Sequence, residues 1–311
     1  MPPRQSRLRA GLFAFATLIG AVMTVPLSTP ARAQEPMPVV ASFSILGDLL
    51  ANVGGDRSAV TVLVGPDGDG HTFQPSPADA RTVANASIVF MNGVGFEGWM
   101  PRLIKASGTK ATFIEAGAGV PLRAMPEEEA GDHDHDHDHG HDHGEHDPHV
   151  WQSVANVKIM VGNIRDGLIA ADPAGRSTYE ANTTAYLAKL DALEAEIKAA
   201  VASIPEERRK VITSHDAFGY FAAAYGVSFI APQGVSTESE ANARAVARII
   251  RQIRDQKIPA VFIENISDPR LVKRIAEETG AKIGGTLYSD SLSPPDGPAG
   301  TYIEMMRHNI R

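Results

Sequence analysis

The feature that most constrains the fold is one long helical pattern in the middle of the chain. From Pro173 to about Ala202, the residues Tyr179, Tyr186, Leu190, Leu193, Ile197 and Val201 recur mostly three or four apart, the repeat of one apolar helix face. Asp172 ahead of Pro173 predicts an N-cap followed by a first-turn proline, and Pro205 marks the end. Some 30 residues rising about 1.5 Å each make a rod of about 45 Å, longer than a compact lobe is wide. Such a rod predicts two bodies tied together, with the connector over residues 172–204.

Both flanks alternate strand-like and helix-like segments. Runs at 39–43, 60–64, 88–91 and 112–114 read as strands before the rod, and runs at 210–214, 227–230, 260–264 and 282–288 after it. Helical patterns near 218–225, 241–256, 269–279 and 301–308 complete the second half. Alternation of this kind predicts an α/β fold, with two lobes of parallel-sheet α/β sandwich joined by one long rigid helix. The lobes are expected at 34–171 and 205–311. With 43% apolar and 21% charged residues, the chain can bury one large core or two modest ones.

The first 33 residues stand apart. Arg4, Arg7 and Arg9 precede an uncharged apolar run from Ala10 to about Val25, and Ala31-Arg32-Ala33 has the small-x-small form of a signal-peptidase site. Pro26 and Pro30 cut the run short of the span of about 20 residues that a membrane anchor needs. Residues 1–33 therefore read as a cleaved signal peptide and the protein as periplasmic. Removing them deletes four arginines and no acid, which takes the formal charge from −8 to −12, a balance that disfavours nucleic acid as a partner. Cysteine is absent, so no disulfide staples the fold and any metal must be held by His, Asp or Glu.

Eight of the eleven histidines fall between His133 and His149. The tract 127–146 has no apolar periodicity and consists almost entirely of His, Asp, Glu and Gly, so it is expected to be a mobile surface loop. Its histidines His133, His135, His137, His139, His141, His143 and His146 are candidates for weak accessory metal binding, because ordering a flexible loop costs about 1–2 kcal/mol per fixed residue. The tract then runs into Asp147-Pro148-His149-Val150-Trp151, where His149 reads as part of a folded unit.

In open parallel sheets, ligands sit beyond the carboxyl ends of the strands. Four metal-competent side chains fall in such positions: His71 after the 60–64 strand, His149 ahead of a helix starting near Ser153, His215 at the end of the 210–214 strand, and Asp290 after Leu287-Tyr288-Ser289. Three imidazoles and a carboxylate suit tetrahedral Zn2+. The spacing by itself is weak evidence, because the four are spread over 220 positions with no local ligand pair. Taken alone, His71 reads more as a surface-loop histidine; the alternative for His215 is a core histidine bonded to backbone, although the polar run Thr213-Ser214-His215-Asp216 suits a cleft edge better, and the alternative for Asp290 is a turn residue. His308, near the end of the last helix, reads as a structural cation at a helix carboxyl end.

The segments Ile45-Leu46-Gly47-Asp48-Leu49, Asn92-Gly93-Val94-Gly95-Phe96-Glu97-Gly98-Trp99, Asp147-Pro148-His149-Val150-Trp151, Thr213-Ser214-His215-Asp216-Ala217-Phe218-Gly219-Tyr220-Phe221, Ser236-Thr237-Glu238-Ser239-Glu240 and Gly285-Thr286-Leu287-Tyr288-Ser289-Asp290 span nearly the whole mature chain. With them the sequence resembles the cluster A-I solute-binding proteins of zinc and manganese ABC transporters, and most closely the zinc type (Azt-like and Znu-like). The resemblance implies two α/β lobes joined by a long helix and a metal at their interface, with His71, His149, His215 and Asp290 as ligands. Manganese-type relatives usually place Glu where this chain has His215, and imidazole there favours zinc. Relatives commonly have Pro before the first ligand. Gly70 stands there in this chain, within the acidic run Asp67-Gly68-Asp69-Gly70, and predicts a looser loop around His71; a twelve-residue calcium loop is not completed.

The expected function is capture of Zn2+ between the lobes and delivery to a membrane permease of the ABC type, by a monomer that is not an enzyme; a periplasmic metallochaperone is a further candidate partner. Two other functions compete: a zinc hydrolase with an open three-histidine site, and a zinc store or metallochaperone relying on the His-rich tract. Four protein donors leave no position for an activated water, which separates a closed site from a catalytic one. Imidazoles with an ordinary pKa near 6.5 predict that affinity falls below about pH 6. Release is expected through small lobe or loop movements centred on the His71 segment.

Overall fold

The computed structural model describes residues 35–125 and 146–311. Residues 1–34, with the expected signal peptide, and residues 126–145, with His133 to His143, lie outside the described part.

β1 (Met37–Phe43), β2 (Ser58–Val64), β3 (Ile88–Met91) and β4 (Thr112–Glu115) form one parallel sheet in the order β2-β1-β3-β4. β5 (Lys210–Ile212), β6 (Ser228–Ile230), β7 (Ala260–Glu264) and β8 (Lys282–Leu287) form a second, in the order β6-β5-β7-β8. The two lobes thus repeat one topology. In each, strand order reverses between the first and third strands, the place where an open α/β sheet leaves a crevice for a ligand. β1 is a central strand covered on both faces, which is why Val39 to Phe43 are all buried and read as a continuous run rather than an alternation.

Helices cover the first sheet through α1 (Ser44–Gly54), α2 (Pro77–Ala84), α3 (Met100–Ser107) and α4 (Val154–Ala171). The connector is α5 (Arg176–Ala202), whose buried face is Tyr179, Thr183, Tyr186, Leu190, Leu193, Ile197 and Val201. Its start differs from expectation. Pro173–Gly175 is a separate 3-10 turn, and the Asp172 side chain does not cap the helix. It instead accepts hydrogen bonds from Arg57 Nε and Nη2, at 2.9 and 2.7 Å, and from the Tyr179 hydroxyl at 2.8 Å. Charge-assisted bonds to a guanidinium outweigh a capping bond to a backbone N–H.

The second sheet carries α6 (Gly219–Tyr225), α7 (Ala243–Gln256), α8 (Arg270–Thr279) and α9 (Tyr302–Asn309). A single large core runs from the first sheet through α5 to Phe218, Phe221, Leu287 and Met305. A small separate core, centred on Ile212, Ile249, Ile253, Val261, Val272 and Ile275, lies under α7 and α8. The last helix reaches back to the first lobe: Asp48 of α1 accepts the Tyr302 N–H at 3.0 Å, and the Tyr302 hydroxyl donates to the Trp151 carbonyl at 2.8 Å. The interface between the lobes is therefore continuous packed core.

Candidate metal centre

Each of the four side chains is carried by a loop at a strand's carboxyl end or a helix start, and the fold brings all four together. Their donor atoms lie within 4.8 Å of one another, and all four residues are buried. The three histidines meet through Nε2. His149 Nε2 is 3.2 Å from His71 Nε2 and 3.4 Å from His215 Nε2. Asp290 Oδ2 is 3.4 Å from His71 Nε2 and 3.2 Å from His215 Nε2, and Oδ1 is 3.5 Å from His149 Nε2. Both Asp290 oxygens are buried without a hydrogen-bond donor. Donor separations of this size are those found around a small divalent ion bound to imidazole and carboxylate.

The three imidazoles differ in what lies behind them. His149 is held by Asp147, whose Oδ1 accepts from its backbone N–H at 3.0 Å and faces its Nδ1 at 2.9 Å. His215 has Glu264 behind it, with Oε2 2.5 Å from Nδ1. His71 has the Phe96 ring edge-on at 4.8 Å, and its backbone N–H donates to Asp69 Oδ1 at 2.9 Å. Phe43, Phe96 and Trp151, packed at 4.9–5.0 Å between ring centroids, form an aromatic wall on this side.

Electrostatics follow these surroundings. Burial pulls His71 below its usual pKa, and the pull of Asp290 does not offset it. Burial also opposes charge on His149, but Asp290 and Asp147 together lift it to about 9. At His215 burial is outweighed by Glu264 and Asp290, which hold it well above its usual value. Burial would raise the Asp290 carboxyl, yet His215 and His149 hold it well below the carboxylate range. Without a metal, the neighbouring carboxylates favour the charged forms of His149 and His215, whereas burial favours the neutral form of His71.

The loop expected to be loose is laced across the interface. The Asp67 N–H donates to the Leu292 carbonyl at 2.9 Å, Asn265 Nδ2 to Asp67 Oδ1 at 3.0 Å, and the Thr237 hydroxyl to Asp69 Oδ2 at 2.7 Å. Gly70 has a steric cause: a Cβ there would stand 2.5 Å from Phe96 Cζ. Trp99 Nε1 also donates to the Gly70 carbonyl at 2.8 Å. The ring that shields His71 therefore requires glycine before it.

His146, the one accessory candidate among the described residues, pairs with Ala124 in an antiparallel bridge and lines a cavity of about 360 Å³ together with His71, Phe96, Met125 and Glu238. It is not part of the four-residue cluster. His308 sits apart, with Nε2 2.9 Å from the Thr286 carbonyl. Sequence reading assigned no role to Glu264, Asp147 or Glu97. Glu264 ends a strand, Glu97 lies in the glycine-rich loop after one, and Asp147 stands two residues before His149. Glu97 is buried, accepts from the Ser42 hydroxyl and from the N–H groups of Asn92 and Gly93, and is pushed up to about 7 by burial.

Two parallel α/β lobes closing four buried donors around one point define a metal-binding solute-binding protein. The family model described as "ZnuA: Zinc-uptake complex component A periplasmic" matches residues 39–311, and the chain belongs to this family of ABC-transporter solute-binding proteins, which are not enzymes. It is 34% identical over 276 residues to the manganese-binding lipoprotein MntA of Halalkalibacterium halodurans, covering 89% of this chain and 87% of that one. It is 31% identical over 305 residues to the iron-binding protein YfeA of Yersinia pestis, covering 97% and 93%. Among solved structures, the periplasmic zinc-binding protein TroA from Treponema pallidum superposes with a TM-score of 0.80 at 29% identity, covering 89% of this chain and 97% of that one.

Proposed function

We propose that this protein is an exported, monomeric solute-binding protein for Zn2+, which it holds with His71, His149, His215 and Asp290 and delivers to the permease of an ABC importer. The reading is carried by four buried side chains whose donor atoms all lie within 4.8 Å of one another, close enough to share one ion. The donor set supports it further: three imidazoles and one carboxylate suit zinc, whereas manganese is better served by oxygen donors. The names of relatives span manganese, iron and zinc, so the choice of metal rests on this site's own chemistry. The accessory histidines His133, His135, His137, His139, His141, His143 and His146 raise the local metal concentration beside the site, and a periplasmic metallochaperone is a candidate donor to them. The N-terminal segment 1–33 acts as a cleaved export signal.

Competition titration of the metal-free protein against a chromogenic chelator, with zinc and manganese in parallel, tests the reading. One tight zinc site and weak manganese binding are expected; equal or tighter manganese binding overturns it.

A further inference from the structure

We propose that Glu264 is the positioning residue that makes His215 a metal donor, fixing its ring with Nδ1 turned to the carboxylate and Nε2 turned to the shared centre. The inference rests on reading the four-residue cluster as a metal site. Glu264 ends β7, beside β5 in the sheet, at the point where strand order reverses. It is fully buried, and among the described residues no lysine or arginine pairs with it. One oxygen, Oε1, accepts the backbone N–H groups of both Ser214 and His215, at 2.7 and 2.8 Å. The other, Oε2, stands 2.5 Å from His215 Nδ1.

A buried carboxylate without a cation is costly, so its surroundings must use it. Here it grips His215 twice, by the main chain and by the ring. Neither Oε2 nor Nδ1 has another hydrogen-bond partner among the described residues, so each is the only group placed to satisfy the other. Once the ring is neutral, as a metal ligand must be, a proton on Nδ1 leaves the Nε2 lone pair facing Asp290 and His149. A carboxylate behind a ligating histidine sets tautomer and orientation in this way. Glu97 provides the contrast in the other lobe: it too is buried beyond strand ends, but its partners are a hydroxyl and two backbone N–H groups, with no imidazole.

The test is Glu264→Gln in the full chain. Glutamine keeps an oxygen for the two backbone donors, but turns an N–H toward Nδ1, which drives the ring proton to Nε2. Ring nitrogen NMR of His215 in metal-free protein, recorded at a pH where the ring is neutral, is expected to show the reversed tautomer, with thermal stability near that of the unaltered protein. Zinc affinity should fall about 10–100-fold. Unaltered tautomer and affinity overturn the proposal, as does an affinity loss that only tracks lost folding with the tautomer unchanged. Should Glu264→Gln not fold, Glu264→Asp withdraws the carboxylate from the ring; a mixed tautomer with weaker binding is expected, and a fixed one with full affinity refutes the proposal. If the unaltered protein binds no zinc, the function reading fails, while the ring spectrum still decides whether Glu264 sets the tautomer.

Discussion

His71 and His215 present the same atom to the same point from opposite lobes, yet their surroundings push them in opposite directions. His71 is backed by Phe96 and a backbone hydrogen bond, and burial keeps it neutral. His215 is backed by a buried carboxylate and holds a proton well above its usual range. One donor is ready for a cation, and the other must first release a proton. Burial alone therefore does not decide the state of a ligand; the group behind the ring does.

The largest effect is expected from removing what the two share. Asp290→Asn deletes the anion facing all three imidazoles, and zinc affinity should fall by more than about 100-fold, beyond what a supporting residue carries. Chelator competition checks it, and near-normal affinity would show that the imidazoles alone hold the ion.

Proton competition sharpens the comparison next. The sequence-level value of 6.5 places this competition below pH 6; His149 moves it up to about pH 9, and His215 is raised in the same direction. With two protons displaced, affinity should rise by up to about 100-fold per pH unit between pH 7 and 9. The metal-free protein should show the opposite slope. The raised His149 and His215 stabilise it fully below the unfolded value near 6.5 and lose that contribution as pH rises through their raised values, about 9 for His149, whereas the lowered His71 costs stability as pH falls below 6.5. Thermal unfolding in chelator should therefore weaken toward pH 10, while the increment added by zinc grows. A metal-induced increment independent of pH contradicts this.

Smaller effects separate the His71 side. Gly70→Ala forces Phe96 away from His71, at about 1–3 kcal/mol of overpacking. Thermal unfolding should register that loss, and affinity should drop about tenfold for each 1.4 kcal/mol felt at the site. Thr237→Val removes the hydrogen bond to Asp69, worth about 1 kcal/mol, and should change affinity by less than about tenfold while accelerating zinc release in stopped-flow chelator capture. Unchanged release would mean that the clasp does not govern opening.

The comparison also marks what was legible in advance. Apolar periodicity located the connector's buried face almost residue by residue, and strand-helix alternation located both sheets, because those patterns are local. The cap of the connector was misassigned since Asp172 answers to Arg57, 115 positions away. The expected slackness around His71 failed for the same kind of reason: Gly70 looks like freedom in sequence, but is a fit to a ring 26 positions on.

The amino-acid sequence by itself determined the fold class, the absence of thiolate chemistry and the four candidate donors, all of which follow from residue type, periodicity and motif. Only the tertiary structure decided that those donors come together, that neighbouring carboxylates favour charge on two of them and burial disfavours it on the third, and that Glu264 stands behind His215. These are distances between residues far apart in the chain, and electrostatic energy inside a dry core depends on such distances rather than on order along the backbone.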